Sequence, residues 1–260
     1  MRVNLKVRRL NPENGGEPRF QSYSIDAPES ATILDSLLQV REEMDGSLAL
    51  RCACRSAICG SCAMRINGQA RLACKSKVVA LAAREGDEIT VEPMGNMPTI
   101  KDLVADMTPH WEKVRAVQPW LKPSGPEPER EYLVPNRTML ELAQPMGCIM
   151  CGACVSDCTV LEVDKTFLAP AALAKAYRFV GDPRDGAGGG RLNMLSGGSG
   201  IWDCTRCLMC VEVCPKGVDP LGQILKLRSR AIEAGLTDNL GARHTLEFEE
   251  QVRAASWLAG

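Results

Sequence analysis

The first ten residues, MRVNLKVRRL, alternate apolar and polar side chains. Val3, Leu5 and Val7 share one face, which predicts a half-buried strand. The stretch FQSYSIDAP is able to pair with it as a second strand. ESATILDSLLQVREEM then changes to helical spacing, with Ile33, Leu34, Leu37 and Leu38 in one apolar stripe that gives way to charge at Arg41. In AMRINGQARLAC, Asn67-Gly68 stands between two short alternating runs, the signature of a type I′ hairpin. DEITVEP supplies a closing strand, so residues 1–95 read as a small sheet packed on one helix.

A proline-rich connector, 96–135, follows, with short helical pieces expected at IKDLVADM and HWEKVRAV. From 136 to 236 the pattern is helical. Pro170 sits near one helix start, and Asp219, Pro220 and Gly235 read as N-cap, first residue and C′ of another. GDPRDGAGGG and SGGSG read as loops. Gly188–Gly190 supply flexibility there, not phosphate binding, because no strand precedes them. Residues 237–260 form a C-terminal extension whose Trp257 and Leu258 are either disordered or docked on a partner.

Composition narrows the function. The 260 residues carry a net charge of −1 and only 4% aromatics, which argues against nucleic-acid binding by charge or by base stacking. No apolar run approaches the roughly 18–20 residues that span a bilayer. Neither a Sec nor a Tat signal is read, so a reducing compartment is expected and stable disulfides are not. Thirteen cysteines are then assigned by default to metal or redox chemistry.

Their spacing is specific. Cys54, Cys59, Cys62 and Cys74 form C-x4-C-x2-C with a fourth cysteine beyond, the plant-type [2Fe–2S] pattern. The small residues Ser56, Ala57, Gly60, Ser61 and Ala63 let backbone N–H groups approach the sulfurs. Arg51 and Arg55 either set positive charge beside the centre or form a solvated loop face, and Cys52 is left over as a buried thiol. Cys148, Cys151, Cys154 and Cys158 show C-x2-C-x2-C-x3-C. Cys204, Cys207, Cys210 and Cys214 repeat it 56 positions later, with Pro215 following. This is the bacterial ferredoxin spacing, in which the fourth cysteine of each run serves the other cluster. Cys148, Cys151, Cys154 and Cys214 would hold one cubane, and Cys204, Cys207 and Cys210 with Cys158 the other. Zinc is the rival, but structural zinc prefers paired knuckles, not two interlocked sets. Neither histidine, His110 or His244, sits in a ligand constellation, and no paired-carboxylate or Ser-His-Asp arrangement is identifiable.

With CGSCAMRINGQARLAC, VEPMGNMPTIKDLVADM, GPEPERE, CIMCGACVSDC, APAALAKAYRF, DPRD and CPKG in place, the chain resembles the iron–sulfur subunit of the succinate dehydrogenase/fumarate reductase family (complex II) over roughly residues 1–235. The resemblance implies an α+β fold: a plant-type ferredoxin-like (β-grasp) domain, then an all-α bacterial-ferredoxin-like domain with two cubane-type clusters. It implies no organic substrate site of its own. Electrons would pass from a FAD-containing flavoprotein subunit through [2Fe–2S], [4Fe–4S] and a third cluster to quinone at a membrane anchor. The location implied is the cytoplasmic face of the plasma membrane, or the mitochondrial inner membrane in a eukaryote.

Three departures from the family pattern stand out. Many relatives hold a [3Fe–4S] third cluster on cysteines matching Cys158, Cys204 and Cys210, with another residue at the place of Cys207. A cysteine there favours a complete [4Fe–4S] cube, as in the branch with an extra cysteine, the alternative being a thiol beside a [3Fe–4S] cluster. Thr159 stands where many relatives have proline followed by a tryptophan pair, and Thr205 where a histidine is frequent, so the familiar quinone contacts are missing. Trp202 either packs internally or serves a membrane-facing interface. Quinol:fumarate reduction, another flavoprotein-linked complex and a structural zinc module are the competing functions.

Overall fold

In a computed structural model of the protein the described residues are 1–255, and Trp257 and Leu258 lie outside them. Two compact units are formed. The first contains 1–112, 147–159 and 208–217, and the second contains 113–146, 160–207 and 218 onward. Compactness therefore does not follow chain order.

In the first unit, β1 (Arg2–Arg9) buries Val3, Leu5 and Val7 completely, as its alternation predicts. It pairs antiparallel with β2 (Arg19–Asp26). Thr32 caps α1 (Ile33–Gln39) through a capping box: its hydroxyl accepts the Asp35 N–H at 3.2 Å, and its own N–H donates to Asp35 Oδ2 at 3.0 Å. Ile33, Leu34, Leu37 and Leu38 are buried on the inner face of this helix. Strands β3 (Ala63–Ile66) and β4 (Gln69–Leu72) make the expected hairpin, with Asn67 at φ 49° and Gly68 at φ 76° as a type I′ turn requires. Strand β5 (Glu88–Glu92) does not close the sheet at an edge. It lies in the middle, parallel to β1 and antiparallel to β3, in the order β2-β1-β5-β3-β4.

The helix expected at IKDLVADM is instead a two-stranded hairpin of β6 (Thr99–Lys101) and β7 (Val104–Ala105). Asp102 is the reason. Its carboxylate, 2% exposed, accepts hydrogen bonds from Arg9 Nε at 3.0 Å, Leu10 N–H at 2.9 Å and Ala49 N–H at 2.9 Å. These distant partners override a helical apolar spacing. Arg9 continues the buried face of β1 as a cation and also pairs with Asp45 at 2.6 Å. Burial alone would lower the Arg9 pKa, and the hydrogen bonds to Asp102 and Asp45 more than reverse that.

HWEKVRAV falls in α2 (Thr108–Ala116), as expected. In the second unit, α3 (Asn136–Met146) precedes a segment that returns to the first unit for α4 (Ala153–Ser156), and α5 (Thr159–Val163) leads back. Helix α6 (Pro170–Val180) buries nearly every side chain, several of them alanine, so α9 (Pro220–Glu233) packs closely against it. Asp219 caps α9 by accepting the Gly222 N–H at 2.9 Å, with Pro220 next, as read from the sequence. Gly235 follows at φ 76°. Gly188–Gly190, expected as loop, form the first turn of α7 (Gly188–Leu195). The buried Arg191 anchors that helix: it pairs with Asp185 at 2.9 Å and donates to the carbonyls of Val117, Gln118 and Trp120. Those tertiary bonds outweigh the poor helix propensity of three glycines. The short α8 (Met209–Glu212) belongs to the first unit, and α10 (Leu240–Ala254) to the second.

Candidate functional site: three sets of cysteines

The loop between Cys54 and Cys62 wraps its own sulfurs in backbone donors. The N–H groups of Ser56, Ile58 and Cys59 point at Cys54 Sγ at 3.4, 3.3 and 3.2 Å. Ala57 N–H donates to Cys74 Sγ at 3.3 Å, and Ser61 and Cys54 N–H both reach Cys59 Sγ at 3.5 Å. Arg55 and Ala57 adopt positive φ in this loop, a conformation uncommon for residues other than glycine. Such donors favour thiolate over thiol. Hydrogen bonds from Ser61 and from the Cys54 backbone lower the Cys59 pKa to about 6. Burial pushes Cys62 the other way, up to about 12, while Cys74 and Cys59 lie close enough to influence it. The four plant-type cysteines are thus brought together, with one exposed at Cys59 and one buried at Cys62.

Arg51 donates to the Ala105 carbonyl at 3.0 Å, and Arg55 is exposed. Cys52 is only partly buried, which corrects the expectation of a buried thiol: its side chain lies on the accessible Arg51–Cys54 segment.

The second set also lies wholly within the first unit. Helix α4 packs on α8 and on the β3–β4 hairpin, so the third cysteine of the first run and the last of the second share one environment. Ala70, Ala153 and Val213 form a small apolar cluster there, with Cys151 and Cys154 packed against it. Burial raises Cys151 to about 11, and nearby Cys148 and Cys214 act in the same direction. Cys154 is held well above its ordinary range, first by burial and then by Cys151, Cys148, Cys210 and Cys214. Crowded, desolvated thiols of this kind ionise together only against a compensating cation. That is the environment a cationic iron core fits.

A buried carboxylate ties this run to the sheet. Asp157 accepts the Ala70 N–H at 2.7 Å and the Ser156 hydroxyl at 2.8 Å, and pairs with Arg65 at 3.5 Å. Gly60 marks where the first cysteine loop and the second meet: a Cβ there would stand 2.7 Å from Cys151 Cβ and 2.9 Å from its Cα. Gly60 thus does more than give access to sulfur; its closer constraint is this approach. Asp157, Arg65 and Asn96, which donates to the Cys158 carbonyl at 3.0 Å, carried no local signal, because their partners are remote in sequence.

For the third set, Cys158 and Cys210 are buried in the first unit, and Cys204 and Cys207 belong to the second, where Cys207 is exposed. Trp202 is half-buried and stacks beneath Arg228. His110 is buried and hydrogen-bonded to the Met150 backbone, and desolvation lowers its pKa; His244 is exposed. Among the described residues no disulfide joins any cysteine, and no group of three or more His, Cys, Asp or Glu side chains is arranged around a single metal ion.

Residues 4–112 match the family described as a 2Fe-2S iron-sulfur cluster binding domain, and residues 146–218 match the 4Fe-4S dicluster domain. Together with the sulfur-directed amides and the crowded thiols, these domains define a multicentre iron–sulfur electron-transfer protein. Among relatives, the fumarate reductase iron-sulfur subunit of Mycobacterium tuberculosis is 37% identical over 88% of this chain and 93% of its own. That of Haemophilus influenzae is 34% identical over 85% of this chain and 90% of its own. The succinate dehydrogenase iron-sulfur subunit of Paracoccus denitrificans is 33% identical over 88% of both. A chain of the Mycobacterium smegmatis Sdh1 complex in the apo form superposes with a TM-score of 0.82 at 24% identity, over 92% of this chain and 99% of that one, showing the same fold. The chain belongs to the family of succinate dehydrogenase/fumarate reductase iron–sulfur subunits. It is an electron-transfer subunit of that oxidoreductase class, with [2Fe–2S] and [4Fe–4S] domains and a cysteine-rich region that fits a third cluster.

Proposed function

We propose that this chain conducts electrons between a FAD-containing flavoprotein subunit, where succinate and fumarate interconvert, and quinone at a membrane anchor subunit. The observation that carries this is the convergence of Cys148, Cys151, Cys154 and Cys214 beside a separate amide-wrapped set, Cys54, Cys59, Cys62 and Cys74. Those sets would hold [4Fe–4S] and [2Fe–2S] respectively, and Cys158, Cys204 and Cys210 the third centre, with Cys207 as its fourth ligand. When bound, the three centres supply one-electron transfer.

The chain's own contribution is to gather the sulfurs in two different environments, one set wrapped in backbone amides and the other desolvated around Cys154. A single zinc would draw four sulfurs to about 3.8 Å of each other, given Zn–S bonds near 2.3 Å. The matched 2Fe-2S and 4Fe-4S domains favour clusters over the zinc module. The amides around Cys54 and Cys59 stabilise negative charge at the sulfurs, and burial around Cys154 does the reverse. The two environments therefore set different reduction potentials.

The location proposed is the cytoplasmic face of the plasma membrane, with attachment through partner subunits; among the described residues no helix is long and apolar enough to cross a membrane. The chain division proposed is 1–95, 96–135, 136–236 and 237–260. Succinate oxidation is the direction proposed; quinol:fumarate reduction is the second reading, favoured by relatives that carry the fumarate reductase name.

Iron counting on the purified complex tests the assignment. About ten irons in this chain are expected, falling to about nine in Cys207→Ser together with the oxidised-state EPR signal of a three-iron centre. About nine irons and that same signal in the unsubstituted complex would remove Cys207 from the ligand set.

A further inference from the structure

Helix α9 carries a cation into the interior of the second unit. Arg228 keeps 7% of its surface accessible, and its guanidinium collects the carbonyls of one turn. Nε donates to Ile201 O at 2.8 Å, and Nη2 donates to Trp202 O at 3.2 Å and to Cys204 O at 2.8 Å. The guanidinium also stacks over the Trp202 ring, 5.3 Å from its centroid. Trp202 is pressed in turn by α10: a Cβ on Gly241 would stand 2.9 Å from Trp202 Cβ and Cε3. The turn that ends at Cys204 is thus clamped from α9 and from α10.

Among the described residues no carboxylate forms an ion pair with Arg228. Carbonyl dipoles alone compensate a buried cation poorly. An anionic centre held through Cys204 would supply the compensation that the carbonyls lack.

We propose that Arg228 is a positioning residue for the third iron–sulfur centre: its planar fork fixes the carbonyls up to Cys204, and its charge stabilises the added electron and so raises the centre's reduction potential. This rests on the reading of Cys204 as a ligand. A lysine cannot hold three carbonyls of one turn in a plane, so fork and charge are separable by substitution.

The test uses the purified complex, with redox titrations followed by EPR and iron release to a chelator. In Arg228→Gln the ratio of reduced to oxidised third centre at a fixed poise is expected to fall about tenfold, which for one electron is about 59 mV. The first two centres stay unshifted. In Arg228→Lys that ratio stays within about twofold of the parent, but iron leaves the third centre faster. A fully loaded Arg228→Gln complex with an unshifted third centre overturns the proposal, as does an equal shift in all three centres. If Arg228→Gln loads no third centre, Arg228→Lys decides: retained potential with faster iron loss supports the role, and parental behaviour in both overturns it. Cys204→Ser separates the underlying reading, because an intact third centre there removes Cys204 as a ligand and the proposal with it.

Discussion

Serine in place of Cys154 is expected to eliminate the [4Fe–4S] centre and to cut quinone-linked turnover by about a hundredfold or more, beyond what loss of a supporting residue costs. Burial holds the Cys154 pKa well above its ordinary range, and Cys151, Cys148, Cys210 and Cys214 all act on it in the same direction. A serine hydroxyl is a harder donor with a far higher pKa, and it does not replace thiolate on an iron site that prefers sulfur. The substitution also places a hydroxyl against the cluster of Ala70, Ala153 and Val213, at about 1–3 kcal/mol if it finds no partner. EPR of the reduced complex should lose one centre, while succinate oxidation by an artificial acceptor at the flavoprotein persists. Parental EPR signals and quinone turnover would remove Cys154 from the electron path.

Asp102→Ala should be the most damaging substitution away from the cysteines, at about 3–5 kcal/mol. One buried carboxylate satisfies Arg9, the Leu10 amide and the Ala49 amide, so its loss leaves a cation and two N–H groups short of acceptors. Asp45 still holds Arg9, which limits the damage from the cation itself. Asp102→Asn keeps an acceptor of the same shape without the charge and should lie between alanine and the parent. Thermal unfolding of the complex, monitored by loss of the [2Fe–2S] signal, should shift down by about 10 °C for alanine. A shift under about 2 °C would mean the β6–β7 hairpin is held by other contacts.

The cysteine framework was legible in the sequence because ligand spacing is local: a few residues between thiols decide which sulfurs can share a loop. The β3–β4 hairpin and the α9 cap were legible for the same reason, resting on Asn67-Gly68 and on Asp219-Pro220. What stayed hidden is charge buried by distant partners. Asp102 reaches Leu10 and Ala49 across 92 and 53 positions, and it turned an expected helix into a hairpin. Arg191 reaches Val117 across 74 positions and drew three glycines into α7. Arg228 is a charged residue of an amphipathic helix until the turn it clamps is seen. In the first two cases the local pattern gave the wrong element, and in all three it could not reveal the long-range hydrogen bond that decides the outcome.

Conduction by this chain is what every assignment above depends on. Its most direct measurement is EPR on the purified complex during anaerobic addition of succinate and then quinone. Signals from this chain's centres should appear with succinate and fade with quinone, and the isolated chain should respond to neither. An iron-loaded complex whose signals ignore both additions, or a colourless preparation carrying zinc in place of iron, would contradict it.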